Sequence, residues 1–108
     1  MISVFLCDPQ PIVQLGLEAA LAGPESIELI GACGSLEEAS AQIPKLQPTV
    51  ALVDRSFGMH QVLEWMVRLR RTGQDTEVVL WAAAISDVES FCVLQSGARG
   101  IIKKTATT

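Results

Sequence analysis

Val50-Ala51-Leu52-Val53-Asp54 is the stretch that decides the fold, because four apolar residues in a row are closed by a carboxylate. A short apolar run without polar alternation is typical of a parallel strand that is covered on both faces. Four other runs share this character: Ile2–Cys7, Ile27–Gly31, Val78–Trp81 and Gly100–Ile102. The sequence therefore predicts five buried strands.

Helical spacing fills the four segments between these runs. The first predicted helix opens at Pro11, a residue favoured in a first turn, and the third covers Met59 to Arg71. The second and fourth begin with capping-box spacings, at Ser35 with Glu38 and at Ser86 with Glu89. The alternation of strand and helix predicts an α/β domain with a doubly wound five-stranded parallel sheet, of the flavodoxin-like kind.

The length of 108 residues predicts one domain, 1–108. A doubly wound domain normally covers its last strand with a further helix, which we expect to be absent from this chain. No apolar run approaches the ~18 residues of a membrane helix, and no basic region precedes the apolar start. We therefore expect a cytoplasmic protein without a membrane partner.

The cysteines and the charges exclude two further classes. Three widely spaced cysteines, an odd number, suggest neither a disulfide framework nor a zinc site; they are most simply small apolar residues in a reducing compartment. The net charge is −4, and the basic cluster Arg68, Arg70 and Arg71 falls at a predicted helix end, where cations complement the dipole. Any contact with DNA is therefore expected outside these residues.

Candidate site residues stand at the carboxyl ends of the strands, where sites form in open parallel sheets. Asp8 and Asp54 follow strands one and three, and strand five runs into Lys103 and Lys104. Two carboxylates suit Mg2+, Asp54 is a candidate nucleophile toward a phosphoryl group, and Lys104 is a candidate contact for a phosphoryl oxygen. A purely structural pairing of Asp54 with Lys104 explains the spacing about as well.

Three segments of the chain resemble the receiver domains of response regulators, particularly those of the LuxR/NarL type. The segments are Asp8–Leu17, Val50–Asp54 and Gln95–Lys104. The resemblance implies a CheY-like fold without enzyme activity of its own, Asp54 as phosphoacceptor, Asp8 and Asp54 as magnesium ligands, and Lys104 as the phosphoryl contact. It also implies a sensor histidine kinase as partner and a helix-turn-helix DNA-binding output domain outside this chain.

Several positions depart from the family pattern. Pro9 replaces a second acidic residue, Ala82 replaces a hydroxyl residue, and Ile101 replaces an aromatic residue. Fewer carboxylates weaken a magnesium site, and a lost hydrogen bond to a charged group costs roughly 1.5–3 kcal/mol. We therefore expect weak magnesium binding and slow or absent phosphorylation. The alternative is a pseudo-receiver that acts through protein contacts alone.

A flavodoxin-like carrier of FMN is a rival of another class. Its phosphate cradle needs free backbone N–H groups, and the loop Asp8-Pro9-Gln10-Pro11 is poor in them because proline has none. The sequence therefore disfavours FMN binding.

The first predicted helix is apolar nearly all round, which is typical of a helix with two buried faces. One stripe is assigned to the core (Val13, Leu17, Ala20 and Leu21), and a second is left over (Ile12, Leu15, Ala19 and Ala22). We expect a homodimer joined through this second stripe and the fifth-strand edge. His60 is predicted to be a surface residue, Trp81 to pack against a helix, and the facing of Trp65 stays open.

Overall fold

Five strands and four α-helices alternate in the computed structural model, which describes residues 2–21 and 26–103. The strands are β1 Ile2–Cys7, β2 Ile27–Cys33, β3 Val50–Asp54, β4 Glu77–Ala82 and β5 Gly100–Lys103. The helices are α1 Pro11–Leu21, α2 Leu36–Leu46, α3 Met59–Arg71 and α4 Asp87–Gln95, with a short 3-10 helix at Arg55–Phe57. Over these two ranges, no helix has the length and apolarity needed to span a membrane.

The sheet is parallel throughout and its strand order is β2-β1-β3-β4-β5. This order reverses direction after β1, which confirms the doubly wound α/β prediction. The main difference is that β2 continues past Gly31 to Cys33. Gly31 lies opposite Phe5, where a Cβ atom would be 3.1 Å from the Phe5 ring. The glycine that looked like a strand end therefore makes room for a core side chain.

One face of the sheet carries the core. Alternate residues of β1, β3 and β4 contribute Phe5, Cys7, Ala51, Val53, Val78 and Leu80, and they pack with buried residues of α2, α3 and α4. Trp65, whose facing the sequence left open, is 1% exposed in this cluster. Its indole Nε1 donates a hydrogen bond to Ser40 Oγ at 2.9 Å, which satisfies the polar end of the buried ring.

Serine caps begin α2 and α4 as predicted. Ser35 Oγ accepts from the Glu38 backbone N–H at 3.1 Å. At Ser86 both halves of the capping box form, because Glu89 Oε1 also accepts from the Ser86 backbone N–H at 3.3 Å. These caps satisfy backbone donors that have no partner within the helix.

Helix α1 departs from its predicted core face. Val13 and Leu17 are half-buried, but Ala20 is exposed, so its assignment to the core is wrong. In the second stripe Ile12 is 75% and Leu15 64% exposed, and Ala19 is also exposed. Ala22 and the side chain of Leu21 lie outside the described residues. The structure thus leaves a continuous apolar surface on this helix.

Gly97 provides a test of backbone strain after α4. Its φ is +105°, and a Cβ atom there would lie 1.4 Å from Nη2 of Arg70, which donates to the Ser96 carbonyl at 2.6 Å. We expect Gly97→Ala to lower the free energy of unfolding by more than about 1 kcal/mol, measured by urea denaturation. Gly16→Ala in α1, where nothing lies within 4 Å, should instead stabilise by up to about 1 kcal/mol. Equal midpoints for Gly97→Ala and the wild type would contradict this account.

Candidate functional site

Two buried carboxylates lie side by side at the carboxyl edge of the sheet. Cys7 is opposite Val53 in the β1–β3 register, so the next residues, Asp8 and Asp54, follow on neighbouring strands. They are 5% and 2% exposed, and within 2–21 and 26–103 they are the two charged residues that are buried. The juxtaposition that the sequence predicted for Asp8 and Asp54 is therefore present.

Asp54 is oriented by the turn that follows it. Its Oδ1 accepts a hydrogen bond from the Ser56 backbone N–H at 3.0 Å, and it caps the 3-10 helix Arg55–Phe57. The cap holds the carboxyl group at the end of β3, and burial by the surrounding strands keeps it there.

Asp8 is held by a contact that sequence analysis missed. Its Oδ1 accepts from the Gln10 backbone N–H at 2.8 Å, and its Oδ2 accepts from the indole Nε1 of Trp81 at 2.9 Å. Trp81 is opposite Asp54 in the β3–β4 register, so its ring can reach across to β1. The sequence predicted that Trp81 packs against a helix and did not foresee this hydrogen bond. The available signal was that a partly buried indole N–H needs an acceptor.

The other site positions named from the sequence lie around the two carboxylates, except for Lys104, whose placement is not described. Ala82 is fully buried at the end of β4, opposite Lys103, and Lys103 is exposed as expected. Pro9 is exposed beside the site and has no side-chain donor or acceptor. Lys104 lies outside the described residues, so its contact with a phosphoryl oxygen stays a prediction.

The donor set for a metal ion is small. Over the described ranges, no three His, Cys, Asp or Glu side chains gather closely enough to hold a metal ion. Among the described residues, Asp8 and Asp54 are the buried carboxylates at this edge, and both already accept hydrogen bonds. His60 lies elsewhere: it is exposed and pairs with Glu64 on α3 at 2.9 Å, which confirms it as a surface histidine.

An ion pair beside the phosphoacceptor candidate was also not foreseen. The guanidinium of Arg55, the residue after Asp54, pairs with the Glu89 carboxylate in α4. The hydrogen bond from Arg55 holds the pKa of Glu89 below its ordinary value, and the Ser86 backbone N–H in the capping box acts in the same direction. The pair joins the 3-10 helix to the start of α4.

Helix α4 carries a second exposed apolar stripe that sequence analysis did not single out. Val88, Phe91 and Leu94 are 74%, 62% and 49% exposed. They recur at three-residue spacing, so they share one side of the helix. Two separate apolar surfaces, on α1 and on α4, are therefore open to contact.

Known proteins resemble this chain over nearly its whole length, although no family model matches it. The transcriptional activator DevR/DosR of Mycobacterium tuberculosis is 28% identical over 104 residues, which are 96% of this chain and 48% of that protein. The response regulator GacA of Pseudomonas viridiflava is 30% identical over 106 residues, 98% of this chain and 50% of that protein. The chain thus spans about half the length of these relatives.

Solved structures show the same architecture. The receiver domain of a putative response regulator NarL from M. tuberculosis superposes with a TM-score of 0.87 at 27% identity, covering 98% of this chain and 86% of that one. The isolated REC domain of RcsB from Salmonella enterica serovar Typhimurium, in the presence of the phosphomimetic BeF3-, gives 0.85 at 19% identity, covering 98% and 79%. The second likeness concerns the fold alone.

The Arg55–Glu89 pair predicts a measurable pKa. We expect the pKa of Glu89, followed by NMR, to lie below 4.5 in the wild type and to rise toward that value in Arg55→Gln. A pKa that is lowered in the folded protein stabilises the fold at pH values above the pKa of the unfolded chain. Arg55→Gln should therefore be less stable than the wild type at neutral pH. This difference in stability should disappear as pH falls through the pKa of Glu89 in the folded protein.

Arg70→Gln is the matched control, because Arg70 donates to the Ser96 carbonyl instead. A Glu89 pKa that moves equally in both variants would refute a specific role of Arg55.

Proposed function

We propose that this chain is a receiver domain of the LuxR/NarL type of response regulator and that its input is phosphorylation of Asp54 at a weakened site. The observation that supports this proposal is the burial of Asp8 beside Asp54 on neighbouring strands. Two adjacent carboxylates repel each other in a buried setting, so this edge favours a cation or a cationic side chain. With such a cation bound, the edge would accept an anionic phosphoryl group that the two carboxylates alone would repel.

In the proposed reaction a carboxylate oxygen of Asp54 attacks the phosphorus atom of the donor. The bond from phosphorus to the donor breaks, and an acyl phosphate forms on Asp54. Lys104, which follows β5, is proposed to contact a phosphoryl oxygen. Transfer of the phosphoryl group to Asp54 is the one reaction that we propose for the domain. The group comes from a sensor histidine kinase or from a small phosphodonor.

Magnesium, when bound, would neutralise charge on the phosphoryl group. Asp8 and Asp54 would hold it, and hard oxygen donors suit this ion. The fit is weak, since Pro9 adds no ligand and the Trp81 indole N–H already uses one lone pair of Asp8 Oδ2. We therefore propose that magnesium binds more weakly here than at a site with a third carboxylate.

A second candidate function is a pseudo-receiver that needs no phosphoryl group. It is favoured by two contacts that hold the site in its present form, the Trp81–Asp8 hydrogen bond and the Arg55–Glu89 pair. The methyl group of Ala82 also offers no hydroxyl to a phosphoryl oxygen. In this reading the exposed surfaces of the domain would carry the signal.

The wider role proposed for the protein follows from its relatives. DevR/DosR is a DNA-binding transcriptional activator, and this chain aligns with about half of it. We propose that the domain acts in the cytoplasm and controls a DNA-binding output domain encoded outside these residues.

Incubation with acetyl phosphate and magnesium, followed by intact mass, tests the proposed input. We expect slow modification that Asp54→Ala abolishes. Pro9→Asp combined with Ala82→Thr should raise the rate at least about tenfold, because it restores a carboxylate and a hydroxyl. Ala84→Thr, at an exposed position past β4, is the matched control and should change nothing.

The outcomes separate the candidates. Rapid, stoichiometric modification of the wild type would show that the site is not weakened. No modification of either the wild type or the double variant would favour the pseudo-receiver.

We expect the domain to self-associate through α1. Ile12 and Leu15 are largely exposed and would be buried by a second copy. Leu15→Glu should shift the protein toward monomer in sedimentation, because an unpaired charge would enter the contact. Phe91→Glu on α4 is the comparison. A monomeric wild type, or a dimer that only Phe91→Glu dissociates, would refute the α1 interface.

A further inference from the structure

Two cysteines that are far apart in the chain meet at the carboxyl edge of the sheet. Cys7 ends β1 and Cys33 ends β2, and they are directly opposite in the parallel register. Their Sγ atoms are 3.6 Å apart. Both thiols also lie against the Ser35 carbonyl oxygen, at 3.3 Å from Cys7 and 3.2 Å from Cys33.

The two thiols differ in access to solvent. Cys7 is fully buried in the core cluster, whereas Cys33 is half-buried and lines a pocket of about 110 Å3. The carboxylate residue Asp8 and the loop residues Pro9 and Gln10 line the same pocket. Because Cys7 is fully buried and Cys33 is partly exposed, the Cys33 sulfur is the one that a small molecule can reach first.

Access to solvent is one of the properties that make a cysteine reactive, and a reactive cysteine is often placed next to a second thiol that resolves its oxidised form. Cys33 has that access, and Cys7 lies directly opposite it on the neighbouring strand.

We propose that Cys7 and Cys33 form a redox-active dithiol that a hydroperoxide oxidises to a reversible intramolecular disulfide. The Cys33 thiolate attacks an oxygen of the peroxide, the O–O bond breaks, and the departing oxygen takes a proton. The sulfenic acid formed on Cys33 is then attacked by the Cys7 sulfur. The S–O bond breaks, Cys7 loses its proton and water leaves. Two thiols and one hydroperoxide thus give one disulfide, one alcohol (water when the peroxide is hydrogen peroxide) and one water.

The backbone geometry permits this bond at the cost of a small movement. Neighbouring strands are about 4.8 Å apart, which falls within the Cα separations of disulfides, about 4.4–6.8 Å. The Cβ atoms of a disulfide average about 3.8 Å, so the ends of β1 and β2 must draw together. Asp8 follows Cys7 directly, and oxidation should therefore displace its carboxylate and the Trp81 contact.

The simpler interpretation is that both cysteines only fill space. Cys7 does contribute to the core, but a space-filling residue has no need of a second thiol opposite it on the next strand. Cys92 offers a reference within the same chain, because it is an exposed thiol on α4. A pair that acts as a dithiol should react faster than this more exposed cysteine, whereas two inert core residues should react more slowly.

The experiment uses the reduced protein with hydrogen peroxide, followed by alkylation of the remaining thiols and intact mass. We expect loss of two hydrogen atoms, reversal by dithiothreitol, and a rate at least about tenfold above oxidation of Cys92. The Cys92→Ser variant should behave in the same way. Cys33→Ser should abolish the loss, and Cys7→Ser should leave Cys33 with one added oxygen instead.

Two readouts guard against misinterpretation. In urea the rate should fall toward that of Cys92, because unfolding separates the strands. On oxidation the Trp81 indole N–H resonance should shift, while that of Trp65, bonded to Ser40, should stay.

Oxidation confined to Cys92, or a disulfide that forms as fast in urea, would overturn the proposal. Formation of the disulfide without a shift of Trp81 would overturn the predicted displacement of Asp8. No step of this assay involves a phosphoryl group, so its result is independent of the function proposed for Asp54.

Discussion

The carboxyl edge of the sheet is governed by one electrostatic constraint, the burial of Asp8 and Asp54 on neighbouring strands. Charged groups that leave water need hydrogen bonds or opposite charge. Three groups donate hydrogen bonds to the two carboxylates: the Gln10 and Ser56 backbone N–H groups in the turns after β1 and β3, and the Trp81 indole, which reaches Asp8 from β4 across β3. The turns after β1 and β3 are thus shaped by the charges that they enclose.

The same constraint relates the fold to its proposed chemistry. An edge that already stabilises negative charge through backbone and indole donors depends less on a bound cation than an edge made of carboxylates alone. Trp81 illustrates the consequence, since its N–H satisfies Asp8 and also uses an oxygen that a metal ion would need. The proposed weakening of this site leaves the architecture intact, because the core cluster is formed by alternate residues of β1, β3 and β4 and by the helices packed on them.

The thiol pair lies next to this edge, because Cys7 is the last residue of β1 and directly precedes Asp8. Cys7 precedes Asp8, so the sulfur and the carboxylate point to opposite faces of the sheet and move together with the strand end. Arg55, one residue after Asp54, connects the other side of the edge to α4. The thiol pair, the two carboxylates and the Arg55–Glu89 ion pair thus lie at or next to the ends of three adjacent strands.

The sequence by itself determined the element order, the parallel sheet, the serine caps and the meeting of Asp8 with Asp54. Apolar runs, capping spacings and strand ends are local features, and parallel topology brings the carboxyl ends of the strands to one edge. The tertiary structure alone decided that Trp81 reaches Asp8, that Arg55 pairs with Glu89, and that Cys7 faces Cys33. These contacts depend on the register between neighbouring strands and on side-chain rotamers. Neither can be inferred from the sequence of one strand or helix by itself. The exposure of Ala20 has the same origin, because helical spacing defines a face but not how far the sheet beneath covers it.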